Sequence, residues 1–215
     1  MYRVRLPPLV KAELVRRLNR FVVELKLNGR TVRAHLRNTG RLEQLLRPGL
    51  TAYLRPKSTG KYPYELFLVE LPPKVLVPSV LANELYRERF LSTSEHAREP
   101  TFNGTRLDFL ADGTVIEVKS VTLVRGGTAL FPDAPTGRAA RQLKLMSGLL
   151  SSYEATLAFV VLRPDAERFR PHCELDPSFC RALEAFLKAG GCVKAYLTEV
   201  SLKRAAIVKE IPVDL

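Results

Sequence analysis

Cysteine is scarce in this 215-residue chain: Cys173, Cys180 and Cys192 are odd in number and include no Cys-x-x-Cys pair. That spacing indicates neither a disulfide framework nor a zinc ribbon. Three buried thiols without chemistry are expected, with His172 a surface histidine beside the first. Long apolar runs are lacking too. None approaches the roughly 18 residues of a transmembrane span, and residues 1–11 have no apolar centre of a secretion signal, so a soluble, cytoplasmic protein away from membranes is expected. No internal repeat, low-complexity segment, Ser/His/Asp set, dinucleotide fingerprint, zinc-protease motif or Walker-type loop occurs. Acidic residues are scarce in one region. Residues 1–75 hold 16 Lys and Arg against 5 Asp and Glu, whereas residues 76–215 hold 18 against 17.

What is present belongs to a globular protein, with 46% hydrophobic and 26% charged residues. Nearly all of the net +12 lies in the first third. A basic N-terminal module facing a polyanion, followed by a near-neutral module with another task, accounts for this asymmetry. The charge exceeds the magnitude of about 2–8 that solubility alone needs.

The first third carries the pattern of short strands. Arg20 to Leu27 and Arg30 to Leu36 alternate around Asn28-Gly29, the strongest short hairpin signal. Val10 to Arg16, Leu50 to Arg55 and Tyr62 to Leu71 bring the strands to about five, with a helical turn over Arg41 to Leu46. Five strands, a helical plug and heavy positive charge fit a small barrel of the OB type, and an SH3-like barrel would show a similar pattern. Pro72, Pro73 and Pro78 then interrupt the chain, which divides it into a barrel at 1–75 and a second domain at 76–215. There the pattern is α/β: helices at Ser79 to Phe90, Gly137 to Leu150 and Pro177 to Ala189, and strands at 105–110, 114–120, 121–125, 155–162 and 193–200. The continuous apolar run from Ala155 to Leu162 suits a strand covered on both faces of a mixed sheet.

The chemistry concentrates in Arg106 to Lys119. Asp112-Gly113 is a two-residue hairpin turn, so Asp108 falls opposite Glu117, and period-2 alternation puts Lys119 on the face of Glu117. Like charges at cross-strand positions repel unless something positive lies between them. A divalent metal fills that role, because carboxylate oxygens suit Mg²⁺, and the adjacent ammonium would orient a water at a phosphate. The alternative is an edge hairpin whose exposed face carries Asp, Glu and Lys as solvated charges; the apolar Leu107, Phe109, Ile116 and Val118 favour the chemical reading, since they pack one face on the core while Asp108, Glu117 and Lys119 share the other. Glu84 and Glu88 fall inside the apolar stripe of the helix from Ser79, and Glu84 is the better placed to join the acid pair. Arg138 and Gln142 line the flank of the second helix, where they would meet phosphate or water, and Thr136 is its expected N-cap.

Several motifs together give the chain a resemblance. Ala34-His35 with Asn38-Thr39-Gly40-Arg41, Lys61-Tyr62-Pro63-Tyr64, Arg106-Leu107-Asp108-Phe109, Glu117-Val118-Lys119-Ser120, Phe131-Pro132-Asp133-Ala134 and Arg163-Pro164-Asp165 stand in the order of the sugar fermentation stimulation protein A family. The resemblance implies an OB-type barrel followed by a restriction-endonuclease-like mixed α/β domain of the PD-(D/E)xK type. It implies DNA in preference to RNA as the partner, with a regulatory link to sugar use. The nuclease-like acids and lysine correspond to Asp108, Glu117 and Lys119, with Glu84 as the helical acid, Asp108 and Glu117 as ligands for Mg²⁺ or Mn²⁺, and Arg33, His35, Asn38, Arg41, Lys61 and Arg138 as nucleic-acid contacts. The chain departs from the family pattern at the start of the second helix, where Gly137, Ala139 and Ala140 replace a stretch that usually carries Glu and His. Two functions follow: a DNA-binding protein that retains a nuclease-like site, or an active metal-dependent phosphodiesterase.

Overall fold

Two dipeptides that read as turns organise both sheets. Asn28-Gly29 (φ 50° and 76°) and Asp112-Gly113 (φ 47° and 74°) take the left-handed backbone of two-residue hairpin loops, which costs Gly nothing and Asn or Asp little. In the computed structural model, which describes residues 2–215, the first turn joins strands Val22–Leu27 and Arg30–His35. Val10–Asn19 pairs with Val22–Leu27 on one side and Thr51–Pro56 on the other, and Thr51–Pro56 pairs with Tyr64–Glu70. Parallel pairing of Arg30–His35 with Tyr64–Glu70 closes the five strands. Leu14, Leu25, Ala34, Leu54 and Leu66 fill the barrel, and Leu42 and Leu45 from the Arg41 to Leu46 segment pack into the same core.

Pro72 and Pro73 do not end the sheet, because they lie in a turn. The chain resumes pairing immediately afterwards at Lys74–Leu76, a strand that the proline pattern hides. The N-terminal residues also reach across the molecule. Val4–Arg5 pairs with Arg204–Ile211, at the edge of the second sheet.

That sheet has seven strands. Thr114–Val121, Glu154–Val161 and Cys192–Val200 run parallel at its centre. Phe109–Ala111 and His96–Arg98 extend one side antiparallel, and Arg204–Ile211 with Val4–Arg5 extend the other. The helix α1 (Val80–Tyr86), continued by one wider π-type turn over Arg87–Leu91, packs its Leu81, Ala82 and Leu85 into the core on the face of Ile116, Val118 and Val160. The helices α2 (Gly137–Leu149) and α3 (Pro177–Lys188) contribute to the core of the opposite face, with Val115, Leu157 and Phe159. Both helix starts are capped as their sequences suggest. Thr136 accepts from the Ala139 N–H (3.3 Å) and Asp176 from the Phe179 N–H (3.0 Å), and Asp176 also accepts from Thr136 N (2.7 Å), which ties the two starts together.

The domains share a core. Tyr53, Phe67, Leu68 and Leu76 of the barrel pack in the cluster that holds Leu81, Leu85 and Phe109. Two expectations are corrected. Cys173 and Cys180 are joined in a disulfide and Cys192 is exposed; the seven-residue separation gave no spacing signal, and the loop before α3 brings the pair together. The acid hairpin is not at an edge, since the parallel strand Glu154–Val161 covers the outer side of Thr114–Val121. Helix α1 covers one of its faces and α2 with α3 the other, and Leu107 packs in the opposite core cluster from Phe109, Ile116 and Val118.

Candidate functional site

The register of the acid hairpin is the one that Asp112-Gly113 dictates. Phe109, Leu110 and Ala111 pair with Ile116, Val115 and Thr114. Just before Phe109 the backbone leaves the ladder, with Leu107 N donating to Pro100 O and Glu99 N to Asp108 O, each at 3.0 Å. The Asp108 carboxylate then takes the place of a ladder carbonyl. Its Oδ2 accepts from the Val118 N–H at 2.7 Å, and its Oδ1 accepts from Asn83 Nδ2 on α1 at 2.6 Å.

Glu117 is 3% exposed. Its Oε1 accepts from Lys119 Nζ at 2.5 Å, while its Oε2 is buried without a hydrogen-bond partner. Burial pushes the Glu117 carboxyl up to about 7, with the Lys119 ammonium opposing the shift and Asp108 adding to it. Lys119 Nζ also donates to Gln142 Oε1 at 2.7 Å. Gln142, buried on α2, uses its Nε2 on the Arg106 carbonyl (3.4 Å), so its oxygen stays aimed at the ammonium. One turn earlier, Arg138 is exposed, lines the same cleft and helps to stabilise the Glu117 charge.

This cluster forms the floor of a cleft of about 500 Å³ between the two domains. The barrel contributes Arg20 and the Asn38 to Gly40 segment, and the facing wall is the Phe131 to Thr136 loop with Arg138. Asn38 is held at both ends of its amide, donating to Val77 O (2.9 Å) and accepting from Gly40 N (3.0 Å). It shapes the loop. Arg17 stiffens the same loop by donating to the carbonyls of Gly40 (2.8 Å) and Arg41 (2.9 Å). Burial raises the Asp133 carboxyl above its usual range, and that group accepts from Leu42 N at 3.3 Å. A Cβ on Gly40 would overlap the Asp133 carboxylate, so only glycine permits this approach.

Asp108, Glu117 and Lys119 are thus brought together, with Asn38, Arg138 and Gln142 beside them. Glu84 is not. It faces a separate cleft of about 390 Å³ with Arg37, Arg55, Glu65 and Phe67, because Asn83, about 100° away on α1, takes the position over Asp108. The other expected nucleic-acid contacts are dispersed. Arg33 is exposed on its strand, and His35 is half-buried with its imidazole pKa lowered by burial and by Lys57. Arg41 lines another cavity of about 250 Å³ with Arg125, His172 and Glu174, and Lys61 stands over the Tyr62 ring at 5.7 Å. Asn83, Arg20, Arg17 and Asp133 escaped sequence reasoning. The signal available for Asp133 was its place in the Phe-Pro-Asp-Ala motif; for Asn83 there was none beyond its neighbour Glu84.

The fold and the site define a two-domain protein, an OB-type barrel followed by a mixed α/β domain of the restriction-endonuclease-like kind with an acid-acid-lysine cluster on its central hairpin. Residues 15–77 match the SfsA N-terminal OB domain, and residues 72–204 match the sugar fermentation stimulation protein RE domain. The chain belongs to the sugar fermentation stimulation protein family. It is 42% identical over 210 residues to the sugar fermentation stimulation protein homolog of Aquifex aeolicus, covering 96% of this chain and 98% of that one. The homolog of Carboxydothermus hydrogenoformans is 40% identical over 222 residues, covering 96% and 97%. A solved structure described as Pyrococcus furiosus SfsA in complex with Ca²⁺ superposes with a TM-score of 0.90 at 28% identity, covering all of both chains. No helix among the described residues is long and apolar enough to cross a membrane.

Proposed function

We propose that this protein binds DNA through its basic barrel and hydrolyses phosphodiester bonds at the Asp108, Glu117, Lys119 cluster with Mg²⁺ or Mn²⁺, in the cytoplasm. The observation that carries the proposal is the buried, unpartnered Oε2 of Glu117. A carboxylate oxygen withdrawn from water without a donor is costly, and a cation relieves that cost. Asp108 and Glu117 would hold the cation. Among the described residues no group of three or more His, Cys, Asp or Glu is suited to a metal, so Asp108 and Glu117 would act as a pair. The pair fits Mg²⁺, which is usually held by one or two carboxylates while water and substrate phosphate complete its shell. The Ca²⁺ in the description of the Pyrococcus furiosus structure supports a divalent cation on this fold.

When bound, the cation supplies Lewis-acid charge at the phosphate. The remaining tasks belong to side chains. Lys119 Nζ, aimed by Glu117 Oε1 and Gln142 Oε1, orients the attacking water and steadies the charge that develops on phosphorus. Asn83 and the Val118 N–H hold Asp108 in one orientation. Arg138 is placed to take a phosphate oxygen, and Gln142 acts through Lys119 as a positioning residue. The names of the relatives support a role in sugar use, to which DNA binding is the connecting activity.

Binding without turnover is the second reading. It is favoured by the engagement of Lys119, whose ammonium is given to Glu117 and Gln142. Incubation with plasmid, single-stranded DNA and RNA, with Mg²⁺ or Mn²⁺ against chelator, separates the two. Metal-dependent cleavage that disappears in Asp108→Asn supports the enzyme. Salt-sensitive DNA binding without cleavage leaves only the binding protein, and absence of binding removes both.

A further inference from the structure

We propose that the nucleic acid that reaches the acid cluster is a single strand, one base of which stacks on Phe21, and that duplex remains outside the cleft. This inference rests on the phosphodiesterase reading of the same cleft and names its substrate class.

The cleft is small and its walls are tied together. Its volume of about 500 Å³ lies in the range of roughly 300–1,000 Å³ that holds small ligands. Leu42 N donates to Asp133 Oδ2 across the domain boundary at 3.3 Å, and Gly40 lies directly against that carboxylate. Gln44 donates to Val124 O (2.8 Å) and accepts from Val124 N (3.4 Å), while the buried Arg163 donates to Gln44 Oε1 (3.0 Å). Behind these bonds lies the core that both domains share. Opening the cleft for a duplex would break the ties and expose that core. Glu117 stands 3% exposed at the bottom, so the scissile phosphate must descend to it. A strand paired in a duplex brings its partner and its stacked neighbours along, whereas an extended strand with splayed bases enters alone.

The mouth carries the matching chemistry. Phe21 is 50% exposed and stands next in the chain to Arg20, which lines the cleft. The Arg20 guanidinium lies 5.8 Å from the centre of the Phe21 ring. The turn that presents the ring is fixed, since Phe21 O accepts from Leu36 N at 2.7 Å and Phe21 N donates to Asn19 Oδ1 at 2.9 Å. An exposed aromatic ring beside a cation on a barrel rim is how single strands are held, with base-aromatic stacking joined to backbone contacts. Phe21 does not line the cleft itself; Arg20, which does, holds its guanidinium beside the ring and so places Phe21 at the mouth.

The test uses the full chain in chelator, with fluorescence anisotropy of a labelled oligothymidylate and of a duplex of equal length. The single strand should bind more tightly. Phe21→Ala should weaken single-strand binding by about 5- to 100-fold, the loss of one stacked base, with duplex binding unchanged, and Phe21→Trp should restore it. Phe21 is exposed, so the fold survives these changes. In Mn²⁺, the single strand should be cut and a blunt duplex spared. Duplex bound as tightly as single strand, duplex cut, or Phe21→Ala without effect overturns this inference and leaves the phosphodiesterase reading standing. Binding to neither form overturns both.

Discussion

The barrel and the α/β domain use charge in opposite ways. The barrel region, residues 1–75, carries 16 Lys and Arg against 5 Asp and Glu, and among its described residues only Asn38 and Glu65 are buried polar groups. The α/β domain is close to neutral yet buries Glu117, Thr122, Gln142, Arg163, Asp176 and Thr198. Charge left in water acts at long range, depends on salt and ignores sequence. Charge withdrawn from water acts locally, because desolvation moves its pKa and makes an unpartnered oxygen worth coordinating. In the function proposed above, the barrel captures a polyanion and the sheet of the second domain carries the chemistry on it. The cleft lies where one meets the other.

Removing the cation from the neutral domain should separate the two roles most sharply. Lys119→Ala should lower metal-dependent hydrolysis by about 100- to 10,000-fold, the range for a lost acid-base or electrostatic group. DNA affinity should barely change, because one cation contributes at most one phosphate contact. Titration of product against time and of binding against salt checks both halves, and cleavage that survives in Lys119→Ala and Glu117→Ala would mean that the active site lies elsewhere.

The pH dependence of stability should come from the buried side of the comparison. Glu117 has its carboxyl raised to about 7 by burial, so the folded state binds its proton more tightly than the unfolded chain does. The stability linked to this group is therefore fully present below the unfolded carboxylate pKa and is lost as pH rises through about 7. The loss should be about 3 kcal/mol. Glu117→Gln should flatten the unfolding free energy between acid and neutral pH; an unchanged pH profile would mean that the carboxylate is solvated.

Metal should counter the same cost. Millimolar Mg²⁺ or Mn²⁺ should raise the melting temperature of the wild type, by about 2.7 kcal/mol of stability at a hundredfold excess over Kd. Asp108→Asn should lose the response. A melting temperature indifferent to both ions would remove the metal site. The smallest effect belongs to the barrel: Arg33→Ala or Lys61→Ala should each reduce the salt slope of DNA binding by no more than about 1. A larger drop from either would mean that the barrel reads DNA through a few specific contacts.

Local rules carried much of this structure. Asn28-Gly29 and Asp112-Gly113 specify their hairpins through backbone preference alone, and the second also sets the register that pairs Phe109 with Ile116, just beyond which the Asp108 carboxylate meets the Val118 N–H. Thr136 and Asp176-Pro177 start their helices at the expected places because capping involves groups only three residues apart. The strands Lys74–Leu76, Thr128–Phe131, Arg168–Pro171 and Arg204–Ile211 were not legible. They are short or weakly patterned, and their partners come from distant segments, as Thr128–Phe131 with Arg168–Pro171 shows.

The sequence by itself determined the charge asymmetry, the two main hairpins and the acid-acid-lysine set, because each depends on composition or on residues a few positions apart. Tertiary structure decided the rest. It set the hairpin inside a sheet with helices on both faces and so buried Glu117, turned Asn83 instead of Glu84 toward Asp108, and aimed Gln142 at Lys119 from α2. It also joined Cys173 to Cys180 and pressed Asp133 against Gly40 across 93 positions of chain. Burial, helix rotation and domain contact are properties of how elements pack, and a hydrophobic pattern constrains which face is inward without specifying which polar group on that face meets another.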